Sequence, residues 1–365
     1  MTYSDEVTNE VNRIRARKEA RRIVAAAEAE ELVLPTQNLT ELLALDFEPP
    51  EWRIENLHQL GMNTTLAAQY KTGKTTMSIN LIRSLADGTP FLRKFKVKPV
   101  EGTIAYWNLE VGTRQMQDWL RRLNIANTDK VIPVNLRGQH VGLYQDATRD
   151  HVVEWMKRQG VVAWIVDPMG RLLPGWPNAG NGRENSNDVM REVGMTLDVI
   201  KYQADIEDLW VITHTGRAGD HTRGATVNDD WPDALWHMTK RKVIEGERMT
   251  RFFWAEGREA ELEEVALGFN KDSLETWVEA DLMSIKLDGH AKSVVMAIIR
   301  AGHPLKAAEL RKALQFNTSD HQEAIEEAIE RGWITRTGEG NTKIHTINTK
   351  HPDVQLMLTN TWEKR

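Results

Sequence analysis

The stretch Leu66-Ala67-Ala68-Gln69-Tyr70-Lys71-Thr72-Gly73-Lys74-Thr75-Thr76 constrains the fold more than any other, because it ends a β-rich run and opens a helical one around a Gly-Lys-Thr core. A phosphate-binding turn of this kind aims backbone N–H groups inward at phosphate oxygens, with a Lys reaching the β/γ-phosphates and a hydroxyl reaching a Mg²⁺ shell. Lys74 and Thr75 supply those groups, and Gln69, Tyr70, Lys71, Thr72, Gly73, Lys74, Thr75 and Thr76 form the candidate nucleotide-binding set. The pattern G-x-x-x-x-G-K-[ST] departs at its first position, where Ala68 stands for Gly. The flanks are those the motif requires: Asn63-Thr64-Thr65-Leu66 reads as a strand, and Ile79, Ile82, Leu85 and Ala86 recur at helical spacing.

The 365 residues predict more than one domain. Residues 1–50 read as a charged helix and linker, 51–282 as the core, and 283–365 as a small appended domain. The charged helix is either a solvated element or an arm that docks on a neighbouring subunit or on phosphate. Through the core, short apolar runs alternate with amphipathic stretches, the signature of an α/β fold with a mostly parallel sheet covered by helices. Tyr106-Trp107-Asn108-Leu109 leads to Glu110, with Thr113 as the expected helix cap beyond it. Val161-Val162-Ala163-Trp164-Ile165-Val166 leads to Asp167, and Leu209-Trp210-Val211-Ile212 to Thr213 and His214. Pro133 weakens the run Val131-Ile132-Pro133-Val134, which lies between Glu110 and Val161, and the segments around 233–239, 249–255 and 264–269 read as antiparallel strands.

The appended domain reads as three short helices and a hairpin turned at Gly338 and Gly340, a winged-helix pattern. Its third helix carries Asp320, Glu323, Glu326, Glu327 and Glu330, which repel phosphate and favour a protein-interaction or packing role; Arg336 and Lys343 on the wing keep direct DNA contact open.

Composition narrows the chemistry. With 41% hydrophobic and 27% charged residues the chain is expected to fold as a globular protein, and a net charge of -6 confines any nucleic-acid contact to a local patch. The absence of Cys excludes disulfides, cysteine zinc sites and thiol nucleophiles, and the eleven His form no metal-ligand spacing. An acidic, polar start and the lack of a long apolar run predict a cytoplasmic protein that does not enter a membrane.

In an open α/β sheet, ligands collect at the carboxyl ends of the strands. Asp167 is placed to hold the Mg²⁺ shell beside the Thr75 hydroxyl, directly or through water. Glu110 is placed to orient or deprotonate an attacking water, and His214 to sense the γ-phosphate. Each competes with the plainer reading of a polar residue capping a turn.

The series of motifs resembles the RecA/DnaB-type ATPase core, and most of all the RepA-type hexameric helicases of plasmids and phages. The resemblance spans roughly residues 57–269 and rests on Lys71-Thr72-Gly73-Lys74-Thr75, Gly88-Thr89-Pro90-Phe91-Leu92, Tyr106 to Glu110, Val166-Asp167-Pro168-Met169-Gly170-Arg171-Leu172, His214-Thr215-Gly216-Arg217 and Arg223-Gly224-Ala225. Thr213 stands where the family often has a second His. The resemblance implies a RecA-like fold, ATP and Mg²⁺ as cofactors, and a homo-oligomeric ring with ATP at each interface. It implies Glu110 as the catalytic carboxylate and Arg223 as an arginine supplied to the neighbouring site, with Arg217 as the second candidate. It also implies two channel loops, 169–187 and 216–230, in which Arg171, Arg183 and Arg217 contact single-stranded DNA while Trp176 either stacks on a base or packs back on the domain. The implied activity is that of a DNA translocase or helicase; a nucleotide-switched loader or initiator-type regulator, a RecA-like recombinase and a small-molecule kinase are the alternatives.

Overall fold

The computed structural model describes residues 10, 12–20, 22–23, 36–47, 49–176, 187–214, 231–242, 249–314, 316, 318–340 and 343–362. The chain divides into two compact units, residues 1–49 and 50–365. In the first, residues 12–20 are helical and exposed, and a short helix α1 (Leu39–Leu43) begins at a reciprocal cap in which Asn38 Oδ1 accepts from Glu41 N and Glu41 Oε2 accepts from Asn38 N.

The second unit is built on a nine-stranded sheet. Its strands are β3 (Asn63–Ala68), β4 (Thr103–Asn108), β5 (Val131–Asn135), β6 (Val161–Asp167), β7 (Asp208–His214), β8 (Ala234–Arg241), β9 (Thr250–Gly257), β10 (Glu261–Phe269) and β11 (Thr276–Asp281), in spatial order β11-β10-β9-β8-β3-β7-β6-β4-β5. From β8 to β5 neighbouring strands are parallel; beyond β8 they are antiparallel. The expected antiparallel grouping therefore begins one strand later than the sequence suggests, because β8 pairs in parallel with β3 on its other side. The α/β architecture with a central, mostly parallel sheet is that of RecA-like phosphate-loop ATPases.

Side-chain alternation along the strands divides the core. Ile104, Tyr106, Ile165, Trp210 and Ile212 face helix α2 (Lys74–Asp87), packing with Ile79, Ile82 and Leu85. The intervening Trp107, Trp164, Val166, Leu209 and Val211 face α4 (Asp146–Arg158) and α5 (Asn187–Gln203), packing with Val153, Met156, Val193 and Leu197. Both faces are thus covered, which is why the central strands read as nearly continuous apolar runs. Gly88, at φ 70°, stops α2 with its N–H on the Ser84 carbonyl. On the α2 side, α3 (Thr113–Arg122) begins at Gly112; Thr113 is its first residue and not its cap, its hydroxyl instead accepting from Asn135 Nδ2. Pro133 is tolerated because β5 ends the sheet.

At the amino ends of the strands, a hairpin of β1 (Trp52–Ile54) and β2 (His58–Gln59) is tied to the sheet by charge. Arg53, 2% exposed, donates to Asp208 Oδ2 at 2.6 Å, Glu207 Oε2 at 2.5 Å and the carbonyls of Lys98 and Pro99. Asp208 Oδ1 lies 3.2 Å from His58 Nε2 and accepts from Gly61 N at 3.1 Å, while His58 Nδ1 meets the Thr64 hydroxyl at 2.6 Å.

After β11 the chain forms α6 (Leu282–Ala301), β12 (Leu305–Lys306), α7 (Ala307–Ala313), α8 (Thr318–Glu330), β13 (Ile334–Thr337), β14 (Ile344–Ile347) and α9 (Pro352–Trp362). Val294, Val295, Ile298, Leu310, Ala324, Ile325 and Trp333 make a separate core. The sequence reading of three short helices and a hairpin misses β12, which completes a three-stranded sheet, the 20-residue length of α6, and the closing helix α9. Among the described residues, no helix is long and apolar enough to cross a membrane.

Candidate functional site

The strand order brings the polar strand ends together. β3 and β4 are separated by β7 and β6, and the register sets Ala68 beside His214 and Asn108 beside Asp167. Ala68 is the last residue of β3 and lies in the ladder outside the left-handed region, so the departure from Gly at this position costs no backbone strain. The left-handed positions are Lys71, at φ 62°, and Gly73, at φ 108°. Within the turn, the Thr72 hydroxyl donates to the Gln69 carbonyl at 2.6 Å, and Lys74 Nζ donates to the carbonyls of Ala68 and Gln69, each at 3.0 Å.

Asp167 ends β6 and is 2% exposed. It accepts from the Tyr106 hydroxyl at 3.1 Å and from Thr75. Burial pushes its carboxyl up to about 6, with the Glu110 charge adding to the rise; the bonds from Tyr106 and Thr75 and the charge of Lys74 only partly offset it. Burial and the adjacent carboxylate likewise raise Tyr106 well above the ordinary tyrosine range, keeping its hydroxyl a donor.

Glu110 is presented by a side-chain turn. Asn108 Oδ1 accepts from Glu110 N at 3.3 Å and Val111 N at 2.9 Å, while Asn108 Nδ2 donates to the Val111 carbonyl at 2.5 Å. Asn108 thereby imitates a backbone turn and carries Glu110 off the strand end. The buried Thr213 hydroxyl has no hydrogen-bond partner among the described residues.

Lys74, Thr75, Glu110, Arg171 and His214 line one cavity of about 1010 Å³, together with Tyr70, Lys71, Gly73 and Thr76 of the loop. Its far wall is made by Trp119, Arg137, Gln139 and His140. A volume of this size takes a nucleoside triphosphate.

A family model described as an AAA domain matches residues 28–220, more than half of the chain. The chain belongs to the AAA domain family. Among solved structures, a KaiC-like protein from the hyperthermophilic archaeon Pyrococcus horikoshii OT3 is similar at 11% identity and a TM-score of 0.45, over 60% of this chain and 90% of that one. No curated protein matches the chain. As an AAA-domain protein it is an ATP-binding ATPase.

Within this AAA domain, Gln69 and Thr72 complete the turn, and Asp167 lies in contact with Thr75. Arg171, expected in a loop that contacts DNA, lines the same cavity as Lys74 and His214. Trp176 is not available to stack on a base: it is 5% exposed, its Nε1 donates to Glu192 Oε2 at 2.9 Å, and its ring meets Tyr144 edge-on. Arg183, Arg217 and Arg223 lie outside the described residues. Sequence reasoning missed Tyr106 and Asn108 as partners of Asp167 and Glu110, although both stand in the quoted motif; an Asn two residues before the Glu is a turn signal. It also missed Arg137, Gln139 and His140, for which no local pattern speaks.

The oxygen donors suit a Mg²⁺ ion. Among the described residues there is no cluster of three or more His, Cys, Asp or Glu, so an all-protein cage is not offered. One hydroxyl and one buried carboxylate are what Mg²⁺ accepts when water and phosphate oxygens fill its other positions. A cation there would also favour the ionised form that burial disfavours in Asp167.

Proposed function

We propose that this ATPase is a Mg²⁺-dependent motor that assembles into a ring, six subunits in the RepA-type arrangement, and moves along single-stranded DNA as a replicative helicase. The observation that carries the reading is the convergence of Lys74, Thr75, Glu110 and His214, from three separate strand ends, on one cavity. Lys74 releases its loop carbonyls to meet the β- and γ-phosphates. Glu110, braced by Asn108, orients the attacking water and takes its proton. His214 reports the state of the γ-phosphate to the segment that follows β7. Thr75 and Asp167 hold the Mg²⁺, which supplies charge neutralisation at the phosphates. Arg223 completes the neighbouring subunit's site, and Arg171, Arg183 and Arg217 remain the candidates for DNA phosphate contacts.

The test is steady-state ATP hydrolysis with and without single-stranded DNA, in the native chain, Lys74→Ala and Glu110→Gln. Strong stimulation by DNA that both substitutions abolish supports the motor. Tight ATP binding with negligible turnover and no response to DNA sinks it in favour of a nucleotide-switched loader.

One observation favours that second reading. In the C-terminal domain, whose order of helices and strands suits a winged helix, the wing residue Arg336 pairs with Glu326 of α8 at 2.5 Å. A recognition helix that is acidic and already holds the wing arginine is better suited to a protein partner than to a DNA groove.

A further inference from the structure

Behind the phosphate loop stands an arginine that the motif does not call for. Arg251 lies on β9, in register with Lys240 of β8. Ala68 faces Met238 across the β3–β8 ladder, so Lys240 and Arg251 lie just past the end of β3, where the loop begins. From there Arg251 Nε donates to the Thr72 carbonyl at 2.8 Å, and its guanidinium lies over the Phe269 ring, 4.7 Å from the centroid. A Cβ on Gly73 would sit 3.5 Å from the same nitrogen.

The direction of this bond matters. In a trans peptide the carbonyl and the following N–H point opposite ways. Holding the Thr72 oxygen towards β9 therefore turns the Gly73 N–H away from β9. Gly73 lines the nucleotide cavity; Arg251 does not. Glycine crosses between backbone regions at little cost, so the peptide preceding it is the one most free to flip.

We propose that Arg251 is a positioning residue of the phosphate loop, holding the Thr72 carbonyl so that the Gly73 N–H stays aimed at the bound triphosphate. The inference rests on the reading of this loop as the nucleotide site. Its charge stands close behind the loop, half-buried at some desolvation cost. Phe269 supports the guanidinium from the adjoining strand β10.

The test titrates the native chain, Arg251→Met, Arg251→Lys and Phe269→Leu with a fluorescent ATP analogue, and with inorganic tripolyphosphate as competitor. Tripolyphosphate isolates the loop from contacts to base and ribose. Arg251→Met is expected to weaken both ligands by about tenfold and to raise KM more than it lowers kcat. Arg251→Lys should fall between it and the native chain, and Phe269→Leu, which removes the supporting ring but leaves the bond to Thr72, should weaken binding less than Arg251→Met. Native affinity for tripolyphosphate in both Arg251 variants overturns the inference, as does an equal loss in Phe269→Leu, which would make the effect one of packing. Absence of nucleotide binding in the native chain overturns the site reading and the inference together.

Discussion

Asp208 and Asp167 are buried aspartates on neighbouring strands, but they sit at opposite ends of the sheet and their acidities move in opposite directions. Burial alone would raise both. At the amino end, hydrogen bonds and charge from His58 and Arg53 more than offset it and hold Asp208 below the ordinary range. At the carboxyl end, Tyr106 and Thr75 do not offset it, Glu110 makes it worse, and Asp167 rises to about 6. A fully partnered charge fixes structure; an under-partnered one bonded to a residue that lines a cavity, as Asp167 is to Thr75, is poised for a ligand.

This contrast predicts that the two ends separate activity from stability. The largest effect is expected from Glu110→Gln, which should lower turnover by ~10²–10⁴-fold while ATP affinity and melting temperature stay near native. A matching fall in melting temperature would show that the carboxyl end is structural after all. Asp208→Ala should do the reverse, removing ~3–5 kcal/mol from the urea unfolding free energy by stranding Arg53, while ATP affinity in the folded fraction is kept. Weakened nucleotide binding there would couple the two ends.

Asp167→Asn sharpens the comparison because it should stabilise the nucleotide-free protein while abolishing Mg²⁺-dependent turnover. Its folded pKa, about 6, lies above the ordinary 3.8, so the native state retains a proton that the unfolded chain has released. Native stability therefore falls as pH rises from about 4 to about 6, and above that window the substitution should gain roughly 2–3 kcal/mol. Urea midpoints at pH 8 and pH 4.5 check this; an equal shift at both would remove ionisation as the cause. The smallest effect is expected at Lys71, whose left-handed backbone costs about 1 kcal/mol. Lys71→Gly should recover less than that in thermal stability, and a loss would mean that the side chain holds the turn.

The phosphate loop, the three strand-end polar residues and the α/β class were legible because each is local: a glycine turn, a period of two, an apolar run closed by an acid. What brings them together was not. The separation of β3 from β4 by β7 and β6 depends on pairings between strands far apart in the sequence. The parallel partner of β8 was hidden for the same reason, since alternation alone does not tell direction. Arg53 and Asp208 are 155 residues apart, and Arg251 meets Thr72 from 179 residues away; neither contact leaves a mark in the sequence near either residue. Trp176 shows the converse case: the sequence leaves open whether it stacks on a base or packs back on the domain, and the bond to Glu192 of α5 decides for packing.

Pro133 has a consequence beyond its own strand. A parallel sheet that ends in an open edge is a template on which another chain can anneal, and polymers built that way grow without limit. β5 is that edge, and a pyrrolidine ring in its middle obstructs such annealing. Association of copies by continuing the sheet at β5 is therefore disfavoured, and with it fibrous growth from that side.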